Sequence, residues 1–134
     1  QGGLQENAKL LKSIVTEADA IVIATPEYNG HVPPLLVNTF CWLSRAENNE
    51  APCDVFNGKV AAILASSPGG FGGIRVIPRL KDMLTELGCT LLSNSISVPA
   101  AHEAFLESGE LKSEETTKRI HALLKALQAL APLS

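Results

Sequence analysis

Aromatic residues are scarce in this sequence, 4% of 134, so its core must be filled mostly by Leu, Ile, Val and Ala. Basic charge is not in excess either. Against 11 Lys and Arg stand 14 Asp and Glu, for a formal net charge of −3. A nucleic-acid partner would call for a basic face, so none is expected. No apolar run reaches the roughly 18 residues that a membrane span needs, and no signal-peptide pattern is read at the start. A cytoplasmic protein without a membrane partner is the expectation. The cysteines are few: Cys41, Cys53 and Cys89 are an odd number at irregular spacing, with no Cys-x-x-Cys pair. That pattern argues against a zinc or dithiol site and for free thiols in a reducing compartment. Charged residues make up 19% and hydrophobic residues 46%, the balance of a core-forming chain rather than a disordered one. The length suits a single domain. The first residue is Gln1 rather than Met, which leaves open whether a longer chain continues upstream.

What is present is alternation. Residues 7–17 carry Leu10, Leu11, Ile14 and Val15 at helical spacing. Ala20-Ile21-Val22-Ile23-Ala24 follows, a continuous apolar run suited to a parallel strand covered on both faces. Pro33 and Pro34 introduce a helix over residues 35–43, with Leu36, Phe40 and Leu43 on one side. Residues 44–57 read as a loop, and residues 60–65 as a second strand. A helix over residues 74–87 follows, with Gly88 as its C-cap glycine. Residues 90–98, more polar, read as a third strand at or near a sheet edge, and residues 99–109 as a connector. The last helix has Ser113 as N-cap and an apolar stripe of Ile120, Leu123, Leu124, Leu127 and Leu130. The order predicts an α/β fold with an open parallel sheet and helices on both faces. With only three strands, one side of the first would be left unpaired.

Ligands of such sheets bind outside the carboxyl ends of the strands. Two loops lie there, residues 25–31 and 66–73. If their strands are neighbours, the loops form one concave rim. The second holds four glycines and offers backbone N–H groups with few side chains in the way. It is not a Walker loop, since no Gly-Lys-Ser/Thr follows, and it lacks the dinucleotide fingerprint. The first loop places Glu27, Tyr28 and Asn29 consecutively. The residues alone leave two readings of Tyr28, an aromatic capping the sheet end or a wall for a planar ligand, and Glu27 could simply be solvated.

The run from Ala18 to Gly30, ADAIVIATPEYNG, resembles the signature of the NAD(P)H-dependent FMN reductase family, which includes quinone, chromate and azo-dye reductases. The similarity continues through Pro33, Leu36, Asn38, Trp42 and Leu43-Ser44-Arg45. It resumes at Gly58-Lys59, the glycine loop, Gly88, Val98-Pro99 and residues 105–111, and so covers nearly the whole chain. The resemblance implies a three-layer, flavodoxin-like domain over residues 1–134. It implies an oxidoreductase that passes a hydride from NAD(P)H through bound FMN to a flavin, quinone or similar small acceptor. The alternative is a non-catalytic binding or interaction module that keeps the fold and has lost the cofactor. By resemblance the cofactor-binding residues are Pro26, Glu27, Tyr28, Asn29 and Gly30, the first set largely through backbone groups, with Ser67, Gly69, Gly70, Phe71, Gly72 and Gly73 on the pyrimidine side. No catalytic side chain and no metal are implied, because the flavin carries the chemistry. His31, His102 and His121 are read as surface or packing residues. A homodimer or homotetramer is implied.

The sequence departs from the family in three places. The family opens with a strand, a Ser/Arg-containing phosphate loop, a helix and a second strand, and none of these is read here. The chain is expected to be the C-terminal two-thirds of the domain, and on its own it could be inactive. A natural short variant and a flavin-free relative stay open beside a fragment. Val37 and Cys41 stand where the family usually has Lys and Asp, which puts an ion pair or oligomer contact in doubt. His31 stands where a small residue is common.

Overall fold

A computed structural model describes residues 5–47 and 49–131 of the chain. The ends of the predicted 1–134 domain, and Asn48 of the predicted loop, lie outside the described residues. The elements are α1 (Glu6–Glu17), β1 (Ala20–Pro26), α2 (Pro34–Leu43), β2 (Val60–Ser66), α3 (Val76–Glu86), β3 (Thr90–Leu91), β4 (Ile96–Val98) and α4 (Glu114–Leu130). All the strand pairings are parallel, and β2 is central, with β1 on one side and β3 and β4 on the other. Helices cover both faces, as the alternation predicts.

The two faces have separate cores. On one, Ile23 of β1 and Ala61, Ile63 and Ala65 of β2 pack against α2 and α3 through Phe40, Leu43, Val76, Leu80 and Leu84, with Val15 of α1 at the margin. Phe40 and Phe56 meet edge to face, with ring centroids 5.6 Å apart. On the other, Val60 and Ala62 of β2 and Ile96 of β4 pack against Leu123 and Leu127 of α4. The alternate residues of β2 thus feed opposite cores, which is why its sequence is apolar throughout. Ser113 caps α4 by accepting the Thr116 N–H at 3.1 Å, a contact worth about 1 kcal/mol. Gly88 lies just beyond α3 with φ +92 and donates its N–H to Thr85 O, as its C-cap reading requires.

The structure corrects the sequence reading at two points and adds to it at a third. The predicted third strand over residues 90–98 is two short strands. The offset between partners grows by two residues from the Val60–Thr90 pairing to the Leu64–Ile96 pairing, so the extra residues bulge out between them. The polar segment Ser93-Asn94-Ser95 supplies that bulge. Second, the apolar set on α1 is largely uncovered among the described residues. Leu10, Leu11 and Ile14 are exposed, whereas Lys12 is buried. Its ammonium donates to Arg45 O at 2.8 Å and pairs with the Glu50 carboxylate at 2.5 Å, tying the long loop to α1. Third, β1 is not covered on both faces. Val22 is 46% exposed, because α4 packs over β2 and β4, and among the described residues only Ala20 of β1 joins the α4-side core. The far edge of β1 has no strand partner among the described residues.

The three cysteines are free thiols in distinct settings. Cys89 is buried and donates to Phe56 O. Burial pushes its thiol up to about 11, with the Lys59 charge pulling the other way. Cys41 is exposed. Brief treatment of the native protein with iodoacetamide at mildly alkaline pH is therefore expected to label Cys41 and to spare Cys89 until the chain is unfolded. Peptide mass spectrometry checks the order, and equal labelling of the two in the native state would contradict it.

Candidate functional site

The pairing of β1 with β2 runs from Ala20–Val60 to Pro26–Ser66, so both strands end at the same level. The loops that leave them start side by side. Residues 28–31 make a miniature hairpin. Tyr28 and His31 exchange backbone hydrogen bonds of 3.1 and 2.9 Å. Asn29 and Gly30 between them have φ values of +53 and +75, the type I′ turn that an Asn-Gly pair adopts most readily. The turn holds Tyr28 outward, 57% exposed.

The glycine loop is fixed along one flank. Gly72 is buried against the end of β4: a Cβ at its position would lie 2.6 Å from Pro99 N and 2.8 Å from Val98 C. Ala100 N–H donates to Gly69 O, Ala101 N–H to Ser67 O, and Ser66 Oγ–H to Val98 O. Between these anchors Gly69, Gly70 and Phe71 are exposed, and among the described residues their N–H groups make no backbone hydrogen bond. Phe71 is 73% exposed. An exposed phenol, an exposed phenyl ring and a stretch of exposed, glycine-rich backbone therefore share one end of the sheet.

The other flank is held by charge. The Glu27 side chain is only 4% exposed. Its Oε1 accepts from Arg75 Nε at 2.8 Å and lies 2.5 Å from Arg75 Nη2. Its Oε2 accepts the Arg75 backbone N–H at 3.0 Å. Burial by itself would raise the carboxyl's pKa. The Arg75 hydrogen bond and charge, with the backbone N–H groups of Arg75 and Val76, outweigh it and hold the group below the usual carboxylate range. The carboxylate therefore stays ionised and is fully engaged within the protein.

The predicted site residues thus fall into two sets. Pro26, Tyr28, Asn29, Gly69, Gly70 and Phe71 are exposed at the strand ends, and Ser67 is half-buried there. Gly30, Gly72 and Gly73 are buried, and the Glu27 carboxylate is turned inward. Sequence reasoning missed Arg75, one residue before α3. An acid in one strand-end loop and a lone base at the close of its neighbour were the available signal. It also gave residues 98–101 no part in the site, although Val98-Pro99 belongs to the family resemblance, because they carry no side chain of obvious chemistry. His31, His102 and His121 are all exposed.

Comparison with known proteins gives one consistent answer. The model of the NADPH-dependent FMN reductase family matches residues 1–103. An NAD(P)H-dependent FMN reductase of Pseudomonas aeruginosa is 36% identical over 115 residues, 85% of this chain and 60% of that protein. An NAD(P)H:quinone oxidoreductase of Solanum tuberosum is 37% identical over 127 residues, 87% of this chain and 58% of the other. Among solved structures, the flavoenzyme NAD(P)H:(acceptor) oxidoreductase FerB of Paracoccus denitrificans superposes with a TM-score of 0.81 at 28% identity, over 94% of this chain and 68% of that one. The chain spans about three fifths of the length of these curated relatives.

Proposed function

The chain belongs to the NADPH-dependent FMN reductase family, and on that premise we propose that its strand-end rim holds the isoalloxazine ring of FMN in an NAD(P)H-dependent oxidoreductase. One observation carries the fit. In a chain with one Tyr and four Phe, Tyr28 and Phe71 are both exposed at this end of the sheet, beside the exposed backbone of Gly69 and Gly70, whose N–H groups have no backbone acceptor among the described residues. Aromatic faces suit a flat ring, and backbone donors suit the carbonyls and nitrogens of its pyrimidine edge. When bound, FMN would supply the hydride and electron chemistry, with NAD(P)H as donor and a quinone, flavin or similar small molecule as acceptor.

The protein's share is to bind and orient. Pro26, Tyr28 and Asn29 form one lip, and Ser67, Gly69, Gly70 and Phe71 the other. Gly30, Gly72 and Gly73 let the two backbones take their paths, and Glu27 braces them. No side chain is assigned acid–base or nucleophilic work. The reading carries a homodimer or homotetramer in the cytoplasm. Exposed Leu10, Ile14 and Leu35 on α1 and α2 support an association surface, and no helix among the described residues is long and apolar enough to cross a membrane.

Titrating the protein, with the family's N-terminal phosphate-loop region restored, into FMN is expected to quench flavin fluorescence saturably, and the loaded protein is expected to oxidise NAD(P)H when a quinone is added. A protein that, with that region restored, neither quenches FMN nor shifts its melting temperature in excess FMN would overturn the proposal in favour of the cofactor-free module.

A further inference from the structure

We infer that Glu27 and Arg75 are a positioning pair for the proposed ring site: they clasp the tyrosine turn to the base of the glycine loop and so set the gap between the two lips. The inference rests on the flavin reading of that gap, but the clasp itself stands on geometry. Glu27 is the first residue after β1, and Arg75 the last before α3. The bonds between them cross from one strand-end loop to the other, joining residues 48 apart in the chain. They use both carboxylate oxygens, the Arg75 guanidinium and its backbone N–H.

A local role as a helix cap does not account for this arrangement. Helix starts are ordinarily capped by a Ser, Thr, Asp or Asn at the N-cap position itself. Here that residue is Arg75, which makes no side-chain cap. The acceptor is instead brought in from the neighbouring loop. A local cap would satisfy the same N–H groups without joining the two lips.

The surroundings show what the clasp controls. The glycine loop is already pinned to residues 98–101 on its other flank, through Gly72 and the bonds from Ala100 and Ala101. Glu27 supplies the opposing anchor. Gly30 sits beside the clasp, its Cβ direction ending 3.9 Å from Arg75 Nε, so a shift of the guanidinium also reaches the turn that carries Tyr28. With both flanks held, the exposed backbone of residues 69–71 keeps a fixed height relative to Tyr28. Glu27 therefore acts on a bound ring through Arg75 and the loop, without touching it.

The test compares wild type with Glu27→Gln, Glu27→Ala, Arg75→Ala and the Glu27→Ala/Arg75→Ala double variant, each with the N-terminal phosphate-loop region restored. Two quantities are read: hydrogen exchange of the peptide spanning residues 67–75 without FMN, and the dissociation constant and visible spectrum of added FMN. Exchange in that peptide is expected to accelerate in each variant, while β1 and β2 stay protected. The FMN dissociation constant is expected to rise about tenfold or more in Glu27→Ala, with a shifted flavin band. The double variant is expected to lose little beyond either single one, as coupled partners do. Glu27→Gln, which keeps a carbonyl acceptor for the backbone N–H, is expected to recover part of both losses and guards against a variant that fails to fold. Unchanged exchange over residues 67–75 in Glu27→Ala would overturn the clasp. Faster exchange with unaltered FMN affinity would overturn its positioning role. Faster exchange in a protein whose wild type binds no FMN would uphold the clasp and reject the flavin reading.

Discussion

Replacing Gly72 by alanine is expected to cost about 2–5 kcal/mol of folding stability, while the same change at Gly70, two residues away, should stay within about 0.5 kcal/mol. The two glycines look interchangeable in the sequence. In the fold they are opposites. Gly72 has φ +58, and its Cβ would meet Pro99 N at 2.6 Å, Val98 C at 2.8 Å and Val98 N at 2.9 Å. Each of those atoms is backbone, so no rotamer change makes room. The left-handed conformation adds about 1–2 kcal/mol for a residue with a side chain, and the overlap adds about 1–3 kcal/mol or more. Since whole domains are stable by only about 5–15 kcal/mol, Gly72→Ala should be close to unfolding, or should survive only by tearing the glycine loop from β4. At Gly70 a Cβ meets nothing within 4 Å. Urea denaturation of both variants measures the difference, and matched midpoints would refute the close approach.

A second pair separates packing from ligand surface. Leu80 is 0% exposed at the centre of the core beneath α3. Leu80→Ala is expected to cost about 2–5 kcal/mol through lost transfer energy and the cavity left behind. Phe71 is larger, yet it faces solvent. Phe71→Ala is expected to leave the unfolding midpoint nearly unchanged and to weaken FMN binding by about 1 kcal/mol, about fivefold in Kd. Thermal melts and fluorescence titrations of both proteins give the four numbers. If Phe71→Ala destabilised the apo chain as Leu80→Ala does, Phe71 would be a packing residue and the proposed lip would lose its aromatic wall.

How far the sequence reveals these roles depends on how local their causes are. β1 and β2 are legible because both are continuous apolar runs that end in turn-forming residues, although only β2 feeds two cores and β1, among the described residues, touches the second at Ala20 alone. The Asn29-Gly30 turn is legible for the same reason, since its signal lies in adjacent residues. The break between β3 and β4 is not, because a bulge is a matter of register against β2 and leaves no mark in residues 90–98 taken alone. Nor is the exposure of Leu10, Leu11 and Ile14: periodicity says which residues share a face of α1, and not whether anything covers it. Glu27 is the sharpest case. In the sequence it could be a solvated acid or a cofactor contact, and its inward use depends wholly on Arg75, far along the chain. Family resemblance located the loops. It did not tell an exposed glycine from a buried one.

The outer strand also carries a rule about length. Between β3 and β4 the chain has two residues more than β2 needs, an even number, so Ile96 and Leu92 still face the core under α4. One residue added or removed there would turn Ile96 and Val98 over to the opposite side of the sheet. A pair could be lost or gained without inverting the strand, at the cost of sliding Val98 and Pro99 along Gly72. Paired indels in the bulge between β3 and β4 are therefore a means of retuning the height of the second lip while every core contact keeps its side.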